Sequence, residues 1–583
     1  MIVPMKRLIL LCVAEDSANT LEALRDLGAV HLELSQGGGG LTGTAKETLE
    51  RAERALRLVE KAKQERKDPD AANASLSVEE VLALDERREA LKGELDTLKA
   101  TCRRYEPFGD FDPSLAKKLE AAGVKLVLRE DGTYEFVAED ESSRSRETRD
   151  PTGGAREIPL PAERLSVTQG KIAQAESEIG ALTAQIGAVE SESLLKSVPG
   201  LRDAVAFAAA ADEMAANRVK LGAAGEAALA TVSGWIAADS VATVEAAAKT
   251  NGWGLALRDP NSDETPPTLI RPPKLFRPVK ALFEGLGIAP AYTEADVSVP
   301  FMCYFSLFFA MLVGDGGYGA IILALTLWGW WKYRAAKKPA PLMKSWLVLL
   351  TVFSVATLVW GFLSNTWFGA ALPFAAEWPT VKWLGDPTYG NMMLLCFTIG
   401  VSHLMIARIW TGLCMLNDRT CLAQFGWAGI LLFMYLVTNS IVGIFGGIPS
   451  WAYWMFGVSL VLVFGFTLKG GELKSRGIEL GMLPLNIMSA LGDIISYVRL
   501  FAVGLASVKV AQNFNDMAVG LDLPLWLKIV PMVLILLVGH GLNFAMAGLS
   551  ILVHAVRLNT LEFSNHKGVS WAGYAFKPFK RST

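Results

Sequence analysis

The sequence predicts a multidomain membrane protein with a water-soluble N-terminal half and an all-α membrane half. Of its 583 residues, 51% are hydrophobic, which is more than an ordinary soluble protein carries. Charged helical patterns dominate the first half, whereas long apolar runs such as 320–331 and 346–368 occupy the second. We expect α/β lobes joined by long antiparallel helices, then eight transmembrane helices of which the last two are long and tilted.

Four regions follow from these patterns. Residues 1–262 are predicted to form a cytoplasmic domain, and 263–296 a linker that prolines keep extended. Residues 297–563 are predicted to form the membrane domain, and 564–583 a basic cytoplasmic tail. The beginning of the chain has a short apolar run that meets acidic residues and no small-residue cleavage site, so no secretory signal is expected.

The N-terminal domain begins with a β-α-β pattern. A strand is predicted at 5–13, a helix at 17–27 and a second strand at 29–35. Residues 124–137 alternate like a hairpin around an Asp-Gly turn. A further α/β piece runs from TVSGWIAA through a helix to WGLALRD and ends near residue 259.

Long charged helices connect these pieces. They are predicted at 42–66, 78–104 and 161–195, and Ser77 with Glu80 makes a capping box at the start of the second. The helices either separate two lobes in a dumbbell-like body or pack as a simple bundle, and the pattern leaves both arrangements open. This half has no phosphate loop, nucleophile elbow or metal cluster in its sequence, so we expect a scaffold.

The count of eight membrane helices combines hydropathy with the distribution of basic residues. Seven apolar segments are long enough to cross, since about 20 helical residues span the hydrocarbon core. Seven crossings would place the basic cluster at 332–344 outside, so the first segment is divided at its GDGG sequence, 314–317. The spans are predicted at 297–313, 317–331, 345–368, 391–413, 424–446, 451–468, 483–515 and 525–558.

Polar residues follow one face of each of the last two spans. On a helical wheel, the seventh span groups Asn486, Ser489, Asp493, Ser496, Arg499 and Ser507. The eighth span groups His540, Asn543, Ser550, His554 and Arg557. An intramembrane arginine costs about 2.5–3.5 kcal/mol on insertion scales, so it is usually functional or paired. We expect these faces to be functional, with hydrogen bonding between packed helices as the alternative.

Composition argues against two other classes of protein. A net charge of −3 does not suit a nucleic-acid-binding protein. The six cysteines have neither CxxC nor zinc-ligand spacing. We therefore expect no nucleic-acid partner, no metal, no cofactor and no disulfide.

The arginine motifs resemble those of a known family. SYVRLFAVGLAS (496–507) and HAVRLNTLEF (554–563) are similar to the a subunit, or subunit I, of V/A-type rotary ATPases. The resemblance continues in EALRDLGAVHLE (22–33), YTEAD (292–296), FFAMLVGDGGYG (308–319), IGVSHLM (399–405) and YAFKPF (574–579). It extends over the chain from end to end.

The resemblance implies a non-catalytic stator subunit in the cell membrane, with ATP chemistry on other subunits. Its soluble domain would bind peripheral stalk subunits, and its two long helices would face a ring of c subunits (proteolipids) that carries protons or sodium ions. Arg499 matches the family arginine that faces the ring carboxylate, and Arg557 matches the second. Two positions depart from the pattern, because Ala547 replaces an acidic residue and Ser507 a histidine found in some members.

One further residue and two other functions stay open at this point. Asp315 in the GDGGYG motif matches a family acidic position and either lies near a half-channel or serves turn formation. A secondary transporter would show internal repeats in the membrane half, and none is found. A membrane scaffold that transports nothing would make Arg499 and Arg557 dispensable, which their energetic cost argues against.

Overall fold

The fold is a computed structural model of the full chain. It describes residues 2–34, 40–65, 76–106, 110, 112–128, 134–138, 156–158, 163–189, 191–221, 227–336, 341–467, 473–521 and 524–581. One compact unit comprises Met1–Arg7, Trp235–Val241 and Leu257–Lys577; the other comprises Leu8–Gly234, Ala242–Ala256 and Pro578–Thr583. The predicted Asp131-Gly132 turn and most of the glycine run after the second strand lie outside the described residues.

Two sheets form in the N-terminal half. The strands are β1 (Met5–Val13), β2 (Val30–Leu32), β3 (Val124–Leu128), β4 (Tyr134–Ala138), β5 (Arg156–Ile158), β6 (Arg218–Leu221), β7 (Ala227–Ala237) and β8 (Gly254–Arg258). One sheet has the order β2-β7-β1-β8 with β6 paired to β7, and the other, which is antiparallel, has the order β4-β3-β5. The pairing of β3 with β4 confirms the predicted hairpin strands. The first and last α/β pieces, predicted separately, share one sheet because β7 lies between β2 and β1.

Helices make up most of the N-terminal half. They are α1 (Ser17–Leu27), α2 (Gly40–Glu65), α3 (Val78–Tyr105), α4 (Pro113–Ala121), α5 (Leu165–Gly187), α6 (Ser191–Ala216), α7 (Val241–Asn251) and α8 (Val279–Leu286). Helices α2, α3, α5 and α6 pack around Val59, Val81 and Ile186. The capping box is confirmed, because the Ser77 N–H donates to Glu80 Oε2 at 2.7 Å and Ser77 Oγ accepts from the Glu80 N–H. The dumbbell arrangement stays a prediction.

Helices, joined by loops, make up most of the described membrane half. Its elements are α9 (Ser298–Val313), α10 (Gly316–Ala335), α11 (Pro341–Ser364), α12 (Pro379–Leu384), α13 (Gly390–Cys414), α14 (Cys421–Ile441), α15 (Ser450–Phe466), α16 (Leu473–Ile495), α17 (Val498–Val519), α18 (Leu525–Ser550), two π-helical segments (Ile551–Ala555 and Leu558–Phe563) and α19 (Ser564–Lys567). A π-helical turn is wider than an α-helical one and often occurs at functional sites.

Five stretches of the described residues are long and apolar enough to cross a membrane. They are Leu342–Ser364, Gly390–Cys414, Cys421–Ile441, Gly481–Val519 and Trp526–Lys567. Helices α9 and α10 meet the same requirement together, with a bend of 120° between them, which gives up to six spans. Helix α15 is apolar but shorter, at 17 residues. The predicted count of eight crossings therefore stays a prediction.

The break predicted at the GDGG sequence is present. Gly314 ends α9 in the left-handed region, with φ 70°, and Asp315 caps α10 by accepting a hydrogen bond from the Gly317 N–H. Helix α9 lies in the main apolar core, where Phe301, Phe305 and other aromatic side chains are almost fully buried. The bend thus sits within packed protein, as irregular backbone at membrane depth requires.

Candidate functional site

The last two long apolar stretches are the least buried of the five. Only 28% of the apolar window of Gly481–Val519 and 11% of that of Trp526–Lys567 is buried, against 61% for Cys421–Ile441. Large side chains on α18, including Val530 and Leu537, are at least 70% exposed. The described part of this chain does not cover these faces, so lipid or another apolar surface must do so.

Arg499 lies in the first turn of α17, directly after a break in the seventh predicted span. Helix α16 ends at Ile495, and Ser496 and Tyr497 form a turn before α17 begins. Within the described residues, no hydrogen bond or ion pair reaches the Arg499 guanidinium, which is partly exposed. An unpaired cation at this depth is available to a negative charge on another molecule.

The turn before Arg499 is held by buried aromatic contacts. The Tyr497 hydroxyl forms a 2.9 Å hydrogen bond with His403 Nδ1, and both side chains are fully buried. The His403 ring stacks between Tyr304, at 4.0 Å, and Phe563, at 4.5 Å. His403, which the sequence singled out only as part of a family motif, therefore helps to position the arginine.

Arg557 lies between the two π-helical segments, close to two other predicted site residues. Its Nε donates to Glu562 Oε1 at 3.3 Å, and its side chain is 50% exposed. The charges of Arg499 and Arg557 both act on the His554 ring. His554 Nδ1 is buried and has no partner within the described residues. The structure thus brings together the two arginines and the histidine that the sequence predicted on different spans.

A second polar cluster is centred on Tyr318 of α10. The Tyr318 hydroxyl lies 2.9 Å from His540 Nδ1 and accepts a hydrogen bond from Asn543 Nδ2, also at 2.9 Å. Asn543 Nδ2 donates in addition to the Ser507 carbonyl oxygen at 2.8 Å, and His540 Nε2 lies 3.1 Å from Asn515 Oδ1. Sequence reasoning did not identify Tyr318 and Asn515 as site residues, because they lie outside the two predicted polar faces.

Asp315 is fully buried and its carboxylate is satisfied by backbone donors. Oδ1 accepts hydrogen bonds from the Gly317 N–H at 2.7 Å and the Phe368 N–H at 2.8 Å. Oδ2 accepts from the Gly369 N–H at 2.7 Å. This geometry ties the start of α10 to the loop after α11 and favours the turn role over a place in a half-channel.

A third polar cluster surrounds Asp493 of α16. Its Oδ2 lies 3.0 Å from His566 Nε2, and His566 Nδ1 lies 3.1 Å from Arg408 Nε. Arg408 also donates to Gln424 Oε1 at 3.1 Å and lies over the Trp427 ring at 5.0 Å. A cavity of about 580 Å³ adjoins this cluster. Sequence reasoning missed Arg408 and His566 as site residues because both lie outside the two long polar faces.

The polar face predicted for the seventh span is divided in the structure. Asn486, Ser489 and Asp493 line the cavity, and Ser496 Oγ donates to the Asp493 carbonyl oxygen at 2.6 Å. Ser507 is 7% exposed and its hydroxyl lies 3.4 Å from the Val313 carbonyl oxygen. The turn at 496–497 interrupts the helical period, and α9 covers the Ser507 side, so no single open stripe runs along the span.

Comparisons with known proteins agree with the resemblance. No family model matches the chain. The chain is 27% identical over 630 residues to V-type ATP synthase subunit I 1 of Treponema pallidum, with all of both chains covered. It is 32% identical to V-type ATP synthase subunit I of Borreliella burgdorferi, with 60% of each covered. It is 26% identical to A-type ATP synthase subunit I of Methanocaldococcus jannaschii, with 60% of this chain and 54% of that protein covered.

These relatives carry the same subunit name in bacteria and in an archaeon. One alignment runs over the full length of both chains, and the other two cover little more than half of each relative. The five or six apolar spans and the arginine motifs agree with a membrane subunit. The chain is thus similar over its full length to subunit I of the V/A-type ATP synthases.

Proposed function

We propose that this chain is the stator a subunit of a V/A-type rotary ATPase or ATP synthase, and that it forms the ion path against a ring of c subunits. The observation that carries the proposal is Arg499, a cation without a partner in the described residues, beside apolar helix faces that the described residues leave uncovered. A ring of apolar c-subunit helices, each with one carboxylate, would provide a partner for Arg499 and would cover these helix faces.

The chemistry is electrostatic. A ring carboxylate that faces lipid must be neutral or ion-bound, because an isolated charge there is costly. A cation opposite that carboxylate favours its ionised form, so Arg499 drives ion release from each passing c subunit. Since an arginine stays protonated at all accessible pH values, it also separates the two aqueous paths and prevents a direct leak.

Polar groups on both sides of Arg499 along the seventh span supply the two half-channels. On one side is the cavity beside Asp493, and on the other is the cluster of Tyr318, His540 and Asn543. The charges of Arg499 and Arg557 both act on the His554 ring, so we assign Arg557 and His554 to the region where the ion transfers to and from the c-subunit ring. The carried ion is a proton or a sodium ion.

The topology proposed for this function has eight crossings. Helices α9 and α10, bent by 120°, act as two short spans, and α15 crosses despite its 17 residues. The positive-inside rule then places the N-terminal domain and the basic tail in the cytoplasm. There the N-terminal domain anchors peripheral stalk subunits, while ATP chemistry takes place on other subunits. A secondary transporter would enclose its charged site within the chain, whereas the uncovered faces here favour a partner ring.

Cysteine cross-linking tests whether the last long span faces the ring. Leu537→Cys and Leu549→Cys, at exposed positions on α18, are each paired with single cysteines on the c-subunit helix, after the exposed Cys303 and Cys414 are replaced by serine. We expect disulfides to the c subunit in the assembled complex. The control, Val458→Cys, is equally exposed on α15.

The control variant should give no c-subunit product. The absence of cross-links from both α18 positions in a fully assembled complex, or equal cross-linking from Val458→Cys, would contradict the proposed ring-facing surface.

A further inference from the structure

The cavity beside Asp493, here called the chamber, is lined by polar and apolar residues of several helices. Its volume is about 580 Å³. Its polar lining includes Arg408 of α13, Gln424 of α14, Asn486, Ser489 and Asp493 of α16, and His566 of α19. A chamber of this size and polarity holds water, since each water needs only a few polar partners.

Hydrogen-bond geometry determines the state of His566. An arginine Nε–H can only donate, so His566 Nδ1, 3.1 Å from Arg408 Nε, must accept. The proton of the neutral ring is therefore on Nε2, which donates to Asp493 Oδ2 at 3.0 Å. A second proton on Nδ1 would oppose the Arg408 N–H. His566 is thus held neutral in one tautomer.

Arg408 is itself held in place, so the directions of the hydrogen bonds from Arg408 to His566 and from His566 to Asp493 are fixed. It donates to Gln424 and lies over Trp427 in addition to its bond with His566. The His566 ring is 5% exposed, whereas Arg408 is partly exposed and the Asp493 side chain is 25% exposed. Within the described residues, the second carboxylate oxygen of Asp493 has no hydrogen-bond partner.

We propose that Asp493 is the proton-exchanging carboxylate of this chamber and that His566 and Arg408 are its positioning residues. The inference rests on the proposed function and deepens it by assigning the carried ion as a proton on this side of Arg499. A hydronium ion in the chamber transfers a proton to the free oxygen Oδ1, forming one O–H bond as the hydronium O–H bond breaks and leaves a water molecule, and the reverse step returns the proton. His566 keeps its own proton throughout, because Arg408 occupies Nδ1.

Other ionisable groups lie on the elements that pack around this site. Among the described side chains they are His403 on α13, Tyr497 in the turn, Glu562 on the second π-helical segment and Lys567 beside His566. His403 is fully buried, and Lys567 Nζ donates to Thr411 Oγ1 at 3.2 Å. Asp493 is thus the carboxylate that the chamber itself exposes.

ATP-driven proton uptake into inverted vesicles bearing the assembled complex tests this assignment. Asp493→Asn should lower uptake by roughly 10²-fold at equal complex content, the lower range for removal of a positioned proton-transfer group. Met488→Leu, at an exposed apolar position on α16 that does not line the chamber, is the matched control and should transport normally.

The positioning role has its own readout. His566→Leu removes the donor to Asp493 and should move the pH of half-maximal uptake, whereas His566→Gln keeps an N–H donor and should restore the wild-type pH profile. If the His566→Leu complex fails to assemble, the pH profile of His566→Gln and the proton uptake of Asp493→Asn still test the proposal. An unchanged pH profile in an assembled His566→Leu complex would overturn the positioning role.

Failure of this inference can be told apart from failure of the proposed function. Normal uptake by Asp493→Asn, with uptake lost in Arg499→Ala, would overturn the role of Asp493 and leave the stator function intact. Uptake of sodium instead of protons by the wild-type complex would overturn the proton-exchange role as well. Normal uptake by Arg499→Ala would contradict the proposed function itself.

Discussion

The Tyr497 hydroxyl and His403 Nδ1 lie 2.9 Å apart, and this hydrogen bond fixes the turn from which Arg499 extends. A turn within a membrane helix leaves backbone groups without their usual partners and needs support from neighbouring helices. Here the support is a fully buried tyrosine held by a histidine on α13. The position of Arg499 thus depends on residues that are buried within this chain.

Gly400→Ala is predicted to disturb this support. An added methyl group at residue 400 would lie 2.6 Å from the Tyr497 ring, closer than real Cβ contacts allow. Overpacking of this kind costs about 1–3 kcal/mol, so we expect a lower melting temperature and reduced ATP-driven uptake. Gly457→Ala on α15, where nothing lies within 4 Å, is the matched control. Equal behaviour of the two variants would contradict the tight fit at Tyr497.

A double-mutant cycle measures the hydrogen bond itself. Tyr497→Phe and His403→Phe each leave one buried polar partner unsatisfied, which costs about 1–3 kcal/mol in the free energy of unfolding. The double variant should be destabilised by less than the sum of the two. Thermal or denaturant unfolding of the purified chain gives the three values. Strict additivity would mean that the two side chains do not interact.

Asp315→Asn separates the two roles that the sequence left open. The carboxylate accepts three backbone N–H groups, and an amide would present its own donor to one of them. We expect a loss of about 1–3 kcal/mol of stability. If Asp315 serves the turn, uptake per assembled complex should stay near wild type. The exposed Asp516→Asn is the control for stability, and a large fall in uptake at unchanged stability would favour a half-channel role for Asp315.

Glu264 is predicted to stabilise the fold around Arg7 and Arg258 down to low pH. Its hydrogen bonds with Arg258 and with the Asn261 N–H, together with the Arg7 charge, lower the pKa of its carboxyl to about 2. A folded-state pKa below the unfolded value of about 4.3 stabilises the fold above that value, and the contribution is lost as the pH falls toward 2. The melting temperature of Glu264→Gln should therefore lie below that of the wild type at pH 7 and still do so at pH 4. A difference that vanishes by pH 4 would contradict the lowered pKa.

Local patterns predicted the elements of this fold well. The bounds of β1 and α1 match the prediction, because an apolar strand pattern and a left-handed glycine after the helix are encoded within a few residues. The break at Gly314 followed from a conflict between hydropathy and basic loops, which also depends only on sequence. The joining of the first and last strands into one sheet could not be predicted, since no local signal encodes long-range pairing.

The candidate site was predicted only in part, again because contacts between residues far apart in the chain leave no local signal in the sequence. Arg499, Arg557 and His554 were identified because charged residues in apolar spans are rare. Arg408 and His566 contact Asp493 from helices that the wheel analysis did not consider. The wheel also assumed one regular α-helical period, whereas a turn precedes Arg499 and π-helical segments flank Arg557.

ATP-driven ion uptake by Arg499→Ala is the most direct test of the central claim. Inverted vesicles bearing the assembled complex are compared at equal subunit content, with Lys509→Ala, an exposed lysine on the same helix, as the control. The stator function predicts loss of uptake in Arg499→Ala with assembly intact and near-normal uptake in Lys509→Ala. Normal uptake by Arg499→Ala would contradict the claim and return the arginine to a structural role.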